Sequence, residues 1–194
     1  PNDILVLLYY YLVKFKGWHG AVVRNIATTH MLDKVAARFG ETCYEVPVGF
    51  KYISAKMTET GAIIGGESSG GLTVHGHING KDGVYAAALL VEMIAVTGKK
   101  LSEIMQDIHD ECGEIHMEER DYKFTIEKKQ AMQKTLMEDK LLPDLPFEID
   151  HISYLDGTGV TDISSTTKTT VLSYLLYLQK EGRASSTVSR TLAS

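Results

Sequence analysis

The sequence predicts an α/β fold with three layers, in which a mixed sheet lies between helices on both of its faces. Three observations lead to this prediction. Short apolar stretches alternate with longer amphipathic ones through the first 113 residues, a pattern typical of strands followed by crossover helices. The chain has 194 residues and 44% hydrophobic content, which is enough for one sizeable core. No apolar run approaches the ~20 residues that a membrane helix requires.

The first element is a predicted helix over residues 4–15, with apolar side chains nearly all round. Asn2 or Asp3 can cap its start, and Gly17 can end it. A helix that is apolar on every side is enclosed by other elements rather than lying at the surface. We therefore expect this helix to be largely buried.

Predicted strands and helices alternate after the first helix. The strand candidate over residues 21–27 is interrupted by two polar residues, Arg24 and Asn25. Thr28 or Thr29 can cap the helix that comes next. The apolar face and the end of this helix are given by Leu32, Val35, Ala36, Phe39 and Gly40.

The alternation of strands and helices continues with two further strand candidates, residues 42–46 and residues 62–64. Between them, a helix is predicted over residues 49–57, entered after Pro47. These short apolar stretches favour a parallel or mixed sheet that is covered on both faces.

Two helices complete the predicted domain. Asp82 can cap a helix over residues 83–97, and its continuous apolar surface predicts a position between a sheet and other helices. A helix over residues 101–112 has one apolar face and stops at Gly113.

The glycine-rich segment 65–71, with the sequence G-G-E-S-S-G-G, follows the third strand candidate directly. In an extended stretch, Glu67 and Ser69 would point the same way, and a carboxylate makes strong hydrogen bonds to sugar hydroxyls. Ligands of open α/β sheets collect beyond the carboxyl ends of strands. The segment therefore predicts a sugar-recognition loop. The alternative is a plain surface turn, which glycine and serine clusters usually form.

Several other functions are disfavoured by the sequence. No G-x-G-x-x-G motif occurs, and Gly80-Lys81 is followed by Asp82 where a P-loop needs Ser or Thr. The formal net charge of −5 argues against a general nucleic-acid surface. The two cysteines, Cys43 and Cys112, lack motif spacing and are expected to be packed thiols, and the sequence shows no basic leader. The expected location is the cytoplasm, with no membrane association.

Four motifs occur in a fixed order along the chain: Val46-Pro47-Val48-Gly49-Phe50-Lys51, the G-G-E-S-S-G-G segment, Gly76-His77 and Lys81-Asp82-Gly83. This series resembles the third domain of the α-D-phosphohexomutase family, specifically the bacterial phosphoglucomutase/phosphomannomutase enzymes, over about residues 1–156. The resemblance implies the fold of that domain. It also implies a part in intramolecular phosphotransfer between the 1- and 6-positions of a hexose phosphate.

The resemblance also implies a set of substrate-binding residues: Glu67, Ser69, Lys51, Gly66, Ser68, Gly70, His77 and Lys81. Glu67 and Ser69 would contact hydroxyls of the hexose, and Lys51 would lie near the phosphate or the catalytic cleft. Ser68 stands where many members have a second Glu, which leaves the preference between glucose and mannose open.

The residues alone allow plainer interpretations of the same positions. Lys51 and Lys81 are then solvated lysines, and Asp82 is only a helix cap. His75 and His77 form an H-x-H pair, but no third and fourth metal ligand lies at useful spacing. These histidines are therefore interpreted as polar loop residues, with His77 lining the cleft.

The family's catalytic parts are missing from this sequence. The resemblance places the phosphoryl-carrying serine, the Mg²⁺-binding aspartates and the substrate-phosphate loop in other domains. We therefore expect no catalytic residue, no metal ligand and no cofactor in this chain, with Mg²⁺ belonging to the full-length enzyme. The expected partners are a hexose phosphate or hexose 1,6-bisphosphate and the missing domains. The isolated chain should be inactive.

Three regions are predicted: a sugar-binding domain over residues 1–113, an exit segment toward a missing phosphate-binding domain over 114–157, and a helical tail of different origin over 158–194. Ser and Thr supply 15 of the last 37 residues. Residues 171–188 resemble the N-terminal helical segment of Xer-type tyrosine recombinases, which would imply DNA contact. Two alternatives to a sugar-binding domain therefore stay open: a non-catalytic protein-interaction module, and DNA contact through the tail.

Overall fold

The computed structural model describes residues 2–115, 125–135, 139, 151–152 and 176–177. The chain divides into two compact units, Pro1–Ile115 and His116–Ser194. The first unit carries the sheet that positions the candidate site. The described part of the second unit consists of one short helix and one pair of two-residue strands.

The first unit contains five helices and four strands within its described residues. The helices are α1 (Asn2–Lys14), α2 (Met31–Arg38), α3 (Phe50–Thr60), α4 (Gly83–Thr97) and α5 (Leu101–Cys112). The strands are β1 (Val22–Asn25), β2 (Cys43–Val46), β3 (Ile64–Gly66) and β4 (Leu72–Val74). The predicted helices are confirmed, with bounds that differ by a few residues from the sequence-based ones.

The four strands form one mixed sheet in the order β2-β1-β3-β4. β1 is parallel to both β2 and β3, with Arg24 opposite Glu45 on one side and Gly66 on the other. β4 is antiparallel to β3. The carboxyl ends of the three parallel strands therefore meet at one edge of the sheet, where the residues that follow them can converge.

Helices cover both faces of this sheet, as the sequence predicts. Neighbouring residues of β1 alternate between the faces: Val22 packs into a core with α1, α2, α4 and α5, while Val23 packs on the opposite face. Ile53 and Met57 of α3 cover that opposite face. The result is the expected three-layer arrangement.

Helix α1 is enclosed by the larger core, and residues 5–13 are all buried. Three consecutive tyrosines in it each find an acceptor: Tyr9 donates to the carbonyl of Gly20, Tyr10 to Glu111 and Tyr11 to Glu92. Burial raises the pKa of Tyr10 and Tyr11 to about 12. At neutral pH these hydroxyls are therefore protonated donors that tie α1 to α5 and α4.

Strand β4 was not predicted, and β3 begins two residues later than expected, so that it includes Gly65 and Gly66. A three-residue strand is too short to show alternation, and glycine has low strand propensity. Pairing with β1 and β4 overrides this local preference. The first two glycines of the glycine-rich segment are therefore part of the sheet.

Helix α4 was expected to lie between the sheet and other helices, and this expectation is wrong for one of its faces. Ala86, Leu89 and Met93 are buried. The other side is exposed, with Val84 at 83% and Val91 at 67%. An evenly apolar helix gives no sequence signal for which side is covered, because that depends on where its neighbours lie.

The described part of the second unit begins with helix α6 (Ile126–Gln133), and Thr125 caps this helix by accepting from the Lys128 amide. Two further strands, β5 (His151–Ile152) and β6 (Leu176–Tyr177), pair antiparallel. At Leu176–Tyr177 the predicted tail helix is therefore wrong, because these residues pair with another segment and tyrosine has good strand propensity.

The remaining predictions for this part of the chain lie outside the described residues. They concern the boundary near residue 157 and the rest of the recombinase-like tail.

Candidate functional site

The segment after β3 makes a tight turn. The Gly70 amide donates to the Glu67 carbonyl over 3.0 Å, and the Glu67 amide donates to the Gly71 carbonyl over 2.9 Å. The chain is therefore not extended here, and the expectation that Glu67 and Ser69 point the same way is wrong. Glu67 is buried, whereas Ser69 lies exposed at the tip.

Gly65 and Gly66 are surrounded by core side chains. A Cβ on Gly65 would lie 2.6 Å from Ile53 Cγ2, and one on Gly66 would lie 2.9 Å from a methyl of Leu5. Such distances are too short for non-bonded carbon atoms. These two glycines thus allow close packing of helices on the sheet, while a backbone contact of Gly66 with a ligand stays a prediction.

The Glu67 carboxylate lies at the carboxyl edge of the sheet, with only 8% of its side chain exposed. Asn25 Nδ2, from the end of the neighbouring strand β1, donates to Glu67 Oε1 over 3.2 Å. Lys81 Nζ lies 2.7 Å from Glu67 Oε2. The carboxylate is therefore buried with one neutral donor and one cation.

Two loops are locked together around this carboxylate. Asn25 Oδ1 accepts from the Ala27 amide and from the Thr28 hydroxyl, over 3.0 Å and 2.7 Å. Thr28 Oγ1 in turn accepts from the Ser68 amide over 3.0 Å. Because Asn25 Oδ1 is engaged in the turn, its amide nitrogen faces Glu67. The geometry around Glu67 is thus held by the β1–α2 loop before any ligand arrives.

Asn25 and Thr28 hold the geometry around Glu67, which the sequence reasoning missed. Asn25 was interpreted only as an interruption of a strand, and Thr28 only as a candidate helix cap. A usable signal was present, since a polar residue at the end of a buried strand lies where parallel strands converge.

Lys81 lies across the glycine loop. A Cβ on Gly71 would lie 2.6 Å from Lys81 Cδ and Cε, so the lysine stem lies directly against Gly71 in this conformation. Lys81 Nζ is 5.1 Å from the centre of the Phe50 ring, at the start of α3. Its side chain is 49% exposed, although its charge is paired with Glu67.

Lys51 follows Phe50 on the first turn of α3 and is exposed. Its ammonium lies 4.8 Å from the centre of the Tyr52 ring. Within the described residues it forms no ion pair with a carboxylate. The start of α3, which carries Lys51, thus borders on the loop that carries Glu67.

His77 contacts Asp82 and Tyr85. Its Nε2 lies 2.7 Å from Asp82 Oδ2, and its ring stacks on Tyr85 with centres 4.1 Å apart. Asp82 also caps α4, accepting from the amides of Val84 and Tyr85. The hydrogen bond from His77, and then that from the Tyr85 amide, lower the pKa of Asp82. The predicted cap is confirmed.

A second charged cluster surrounds Arg24, which the sequence had marked only as an interruption. Arg24 is 2% exposed and donates to Asp33 through two nitrogens, to Glu45, to the Asn25 carbonyl and toward His30 Nδ1. Burial is the largest single influence on the pKa of the guanidinium and lowers it, but the hydrogen bond to Asp33 and the nearby negative charges together outweigh burial and leave the pKa raised. Arg24 is therefore a fully engaged cation.

Other kinds of site find little support in the described part of the chain. No group of three His, Cys, Asp or Glu side chains there could hold a metal ion. Burial raises the pKa of Cys43 to about 12, so this thiol is not a ready nucleophile at neutral pH. None of the described helices is both long and apolar enough to cross a membrane.

Comparison with known proteins decides the family. Residues 1–112, more than half of the chain, match the family model described as phosphoglucomutase/phosphomannomutase, alpha/beta/alpha domain III. The chain belongs to the phosphoglucomutase/phosphomannomutase family. The match covers the sheet, the glycine loop and Lys81, so the predicted family resemblance is confirmed for this part; the recombinase-like tail stays a prediction.

Known relatives of this domain III carry several enzyme names. The phosphoglucosamine mutase of Carboxydothermus hydrogenoformans is 37% identical over 55% of this chain and 24% of its own length. The phosphoglucomutase/phosphomannomutase of Thermococcus kodakarensis is 35% identical over 46% of this chain and 20% of its own length. The chain thus spans about a quarter or less of these relatives.

Solved structures agree with the fold. A protein of Thermus thermophilus aligns with a TM-score of 0.56 and 34% identity, over 64% of this chain and 28% of that one. The open form of pp63/parafusin, a phosphoglucomutase from Paramecium, aligns with a TM-score of 0.55 and 25% identity, over 71% of this chain and 26% of that one. The α/β/α architecture is therefore shared with these proteins.

Proposed function

We propose that this domain III supplies the sugar-recognition site of a phosphohexomutase, an enzyme that moves a phosphoryl group between the 1- and 6-positions of a hexose phosphate. The observation that carries the proposal is Glu67, a buried carboxylate fixed by Asn25 at the carboxyl edge of a parallel sheet. Its single charged partner, Lys81, is half exposed and can move aside.

The chemistry of the surrounding groups suits a sugar phosphate. A carboxylate has about four acceptor positions, so Glu67 keeps about two for sugar hydroxyls beside Asn25 and Lys81. The Ser69 hydroxyl is exposed and has no hydrogen-bond partner among the described residues. Lys51 offers an ammonium without a carboxylate partner there, which suits a phosphate oxygen.

The remaining predicted positions have supporting rather than direct roles in this proposal. Ser68 acts through its backbone amide bond to Thr28, and Gly70 completes the turn. His77 is engaged by Asp82 and Tyr85 and would line the rim of the site.

Phosphoryl transfer itself would need the rest of the enzyme. Positioning and charge stabilisation around the transferring group account for most catalysis of this kind, and this domain would contribute the positioning. Mg²⁺ would be held by another domain of the full-length enzyme, and the remaining domains would be the protein partners. The two cysteines, neither in a disulfide, fit the proposed cytoplasmic location.

The test is a titration of the ¹⁵N-labelled chain with glucose 1-phosphate and with glucose 1,6-bisphosphate, followed by NMR. We expect amide shifts concentrated in residues 65–71, and we expect Glu67→Gln to weaken binding at least tenfold, since hydrogen bonds to a charged acceptor are the stronger ones. Glu59→Gln, in an exposed carboxylate on α3, is the matched control and should bind like the wild type.

Two results would contradict the proposal. The first is no shift at millimolar ligand, which would favour a non-catalytic interaction module instead. The second is equal binding by the wild type and Glu67→Gln. We also expect no conversion of glucose 1-phosphate to glucose 6-phosphate by the chain alone, and a coupled assay with added Mg²⁺ checks this.

A further inference from the structure

The three kinds of enzyme named among the relatives differ in the charge of the sugar that their names imply. Glucose and mannose phosphates carry only neutral hydroxyls on the ring, whereas a glucosamine phosphate carries an amine that is protonated at neutral pH. A site that discriminates between them needs a charged group close to the ring. The structure places such a group, Lys81, directly on the sugar-recognition carboxylate.

We propose that Lys81 makes this site select sugar phosphates whose ring bears only neutral hydroxyls and reject those that bear an ammonium group. This inference rests on the proposed function, because it assigns the substrate class of the same site. It concerns a specificity-determining residue and not a catalytic one.

The geometry gives Lys81 this role in two ways. Its ammonium lies 2.7 Å from Glu67 Oε2, so it already supplies the counter-charge that a protonated amine would otherwise provide. A second cation at this carboxylate would lie a few ångströms from the first, and like charges at that distance repel. Hydroxyls, in contrast, need only acceptor positions, which Glu67 retains beside its two partners.

Lys81 also remains near the site if it swings aside. Its stem crosses Gly71 at a position where a Cβ would clash, and its ammonium lies above the Phe50 ring. Asp82, the next residue, caps α4 and fixes the backbone from which this stem starts. A movement of the Lys81 side chain would therefore expose the Glu67 carboxylate to a ligand while the Lys81 ammonium stays near the site.

The experiment compares glucose 6-phosphate with glucosamine 6-phosphate, which share the phosphate and differ at the 2-position. Affinities for the full 194-residue chain are measured by calorimetry and by amide shifts of residues 65–71, at neutral pH and low salt. We expect glucose 6-phosphate to bind roughly tenfold more tightly, as expected for a partly screened like-charge contact. The ratio should shrink when salt is raised.

Three variants assign the effect to Lys81. Lys81→Gln removes the charge but keeps a donor for Glu67, and it should bring the affinity ratio close to one. Lys81→Arg keeps the charge and should keep the preference. Lys99→Gln is the matched control, because Lys99 is 45% exposed and also pairs with a carboxylate, that of Asp107; it should behave like the wild type.

The possible failures are distinguishable. If the wild type binds glucosamine 6-phosphate equally or more tightly, the inference is overturned while the proposed function stands. The same holds if the preference survives unchanged in Lys81→Gln. If neither sugar phosphate binds, the proposed function fails and this inference fails with it. The wild-type comparison and its salt dependence do not require any variant to fold.

Discussion

Arg24 and Glu67 are both buried charges near the carboxyl end of the parallel strands, but their surroundings differ. A guanidinium has five N–H donors. Those of Arg24 make five contacts, with Asp33, Glu45, His30 and a backbone carbonyl. Glu67 has one amide donor and one cation, and that cation is 49% exposed. About two acceptor positions of Glu67 are left over.

This difference fits a structural role for Arg24 and the proposed recognition role for Glu67. A guanidinium whose N–H donors are all engaged has none free for a ligand, and removing its partners costs folding free energy. A buried carboxylate that is rigidly held on one side and covered by a movable lysine on the other can exchange a partner. Substitutions around each of the two charges test this comparison.

The largest effect is expected when Arg24 loses its carboxylate partners. In the double variant Asp33→Asn, Glu45→Gln the buried guanidinium has no counter-charge, and breaking such a pair costs about 3 kcal/mol of unfolding free energy. Chemical denaturation monitored by circular dichroism measures this. Glu59→Gln, which removes a surface carboxylate paired with Lys56, is the control and should change little. A loss below about 0.5 kcal/mol in the double variant would contradict a structural role.

Asn25→Asp removes the amide donor that holds the Glu67 carboxylate. The new carboxylate would keep the turn bonds from Ala27 and Thr28 but face Glu67 across the present 3.2 Å contact. We expect a loss of about 1–3 kcal/mol at neutral pH, because a buried donor is lost and two like charges meet.

The pH dependence of Asn25→Asp gives the sign of this effect. Repulsion raises the pKa of one carboxyl in the folded state, so the penalty is present above that pKa and is relieved as the pH falls through it. Asn79→Asp, at an exposed asparagine, is the control. Equal stability of the two variants at neutral pH would contradict the assigned contact.

Lys81→Gln removes the ion pair with Glu67. Its effect on stability should be smaller than that of Asn25→Asp. The lysine is half exposed, so water can replace much of its interaction with Glu67. We expect a loss of about 1 kcal/mol or less in unfolding free energy. A loss as large as that of the double variant around Arg24 would mean that Lys81 is a structural partner, and the distinction between the two charges would disappear.

The smallest effect concerns Glu111, an ion-paired carboxylate far from the site in the sequence. The hydrogen bond from Lys14 is the largest influence on the pKa of Glu111 and lowers it; burial opposes this, and a weaker contribution from the Tyr10 hydrogen bond helps to keep the pKa low. Its contribution to stability is therefore complete above its ordinary pKa of 4.5 and is lost as the pH falls through the lower folded value. Glu111→Gln should flatten the acid side of the stability profile, and an unchanged profile would contradict this pair.

Much of this fold was predictable because its signals are local. Apolar periodicity gave α1 and α5, and the capping carboxylate of Asp82 gave the start of α4. Strand β4 was not predictable, since it depends on antiparallel pairing across only three residues, whereas a turn within the glycine-rich segment was an open alternative. Local sequence carries no measure of such pairing.

The candidate site was predictable only in part, for the same reason. Glu67 and Lys81 belong to motifs that mark the loop, and the structure brings them together. Their contact, however, depends on the turn that brings Gly71 against the Lys81 stem. The role of Asn25 depends on the register of β1 against β3. Both are tertiary facts that follow only once the sheet is assembled.

The central claim is that the Glu67 carboxylate itself receives the sugar hydroxyls. The most direct test is the ¹³C chemical shift of the Glu67 side-chain carboxyl, assigned with Glu67→Gln, during titration with glucose 6-phosphate and with inorganic phosphate as the control. We predict a saturable shift with the sugar phosphate that inorganic phosphate does not reproduce. A Glu67 signal that stays unchanged while amides elsewhere saturate would contradict the account.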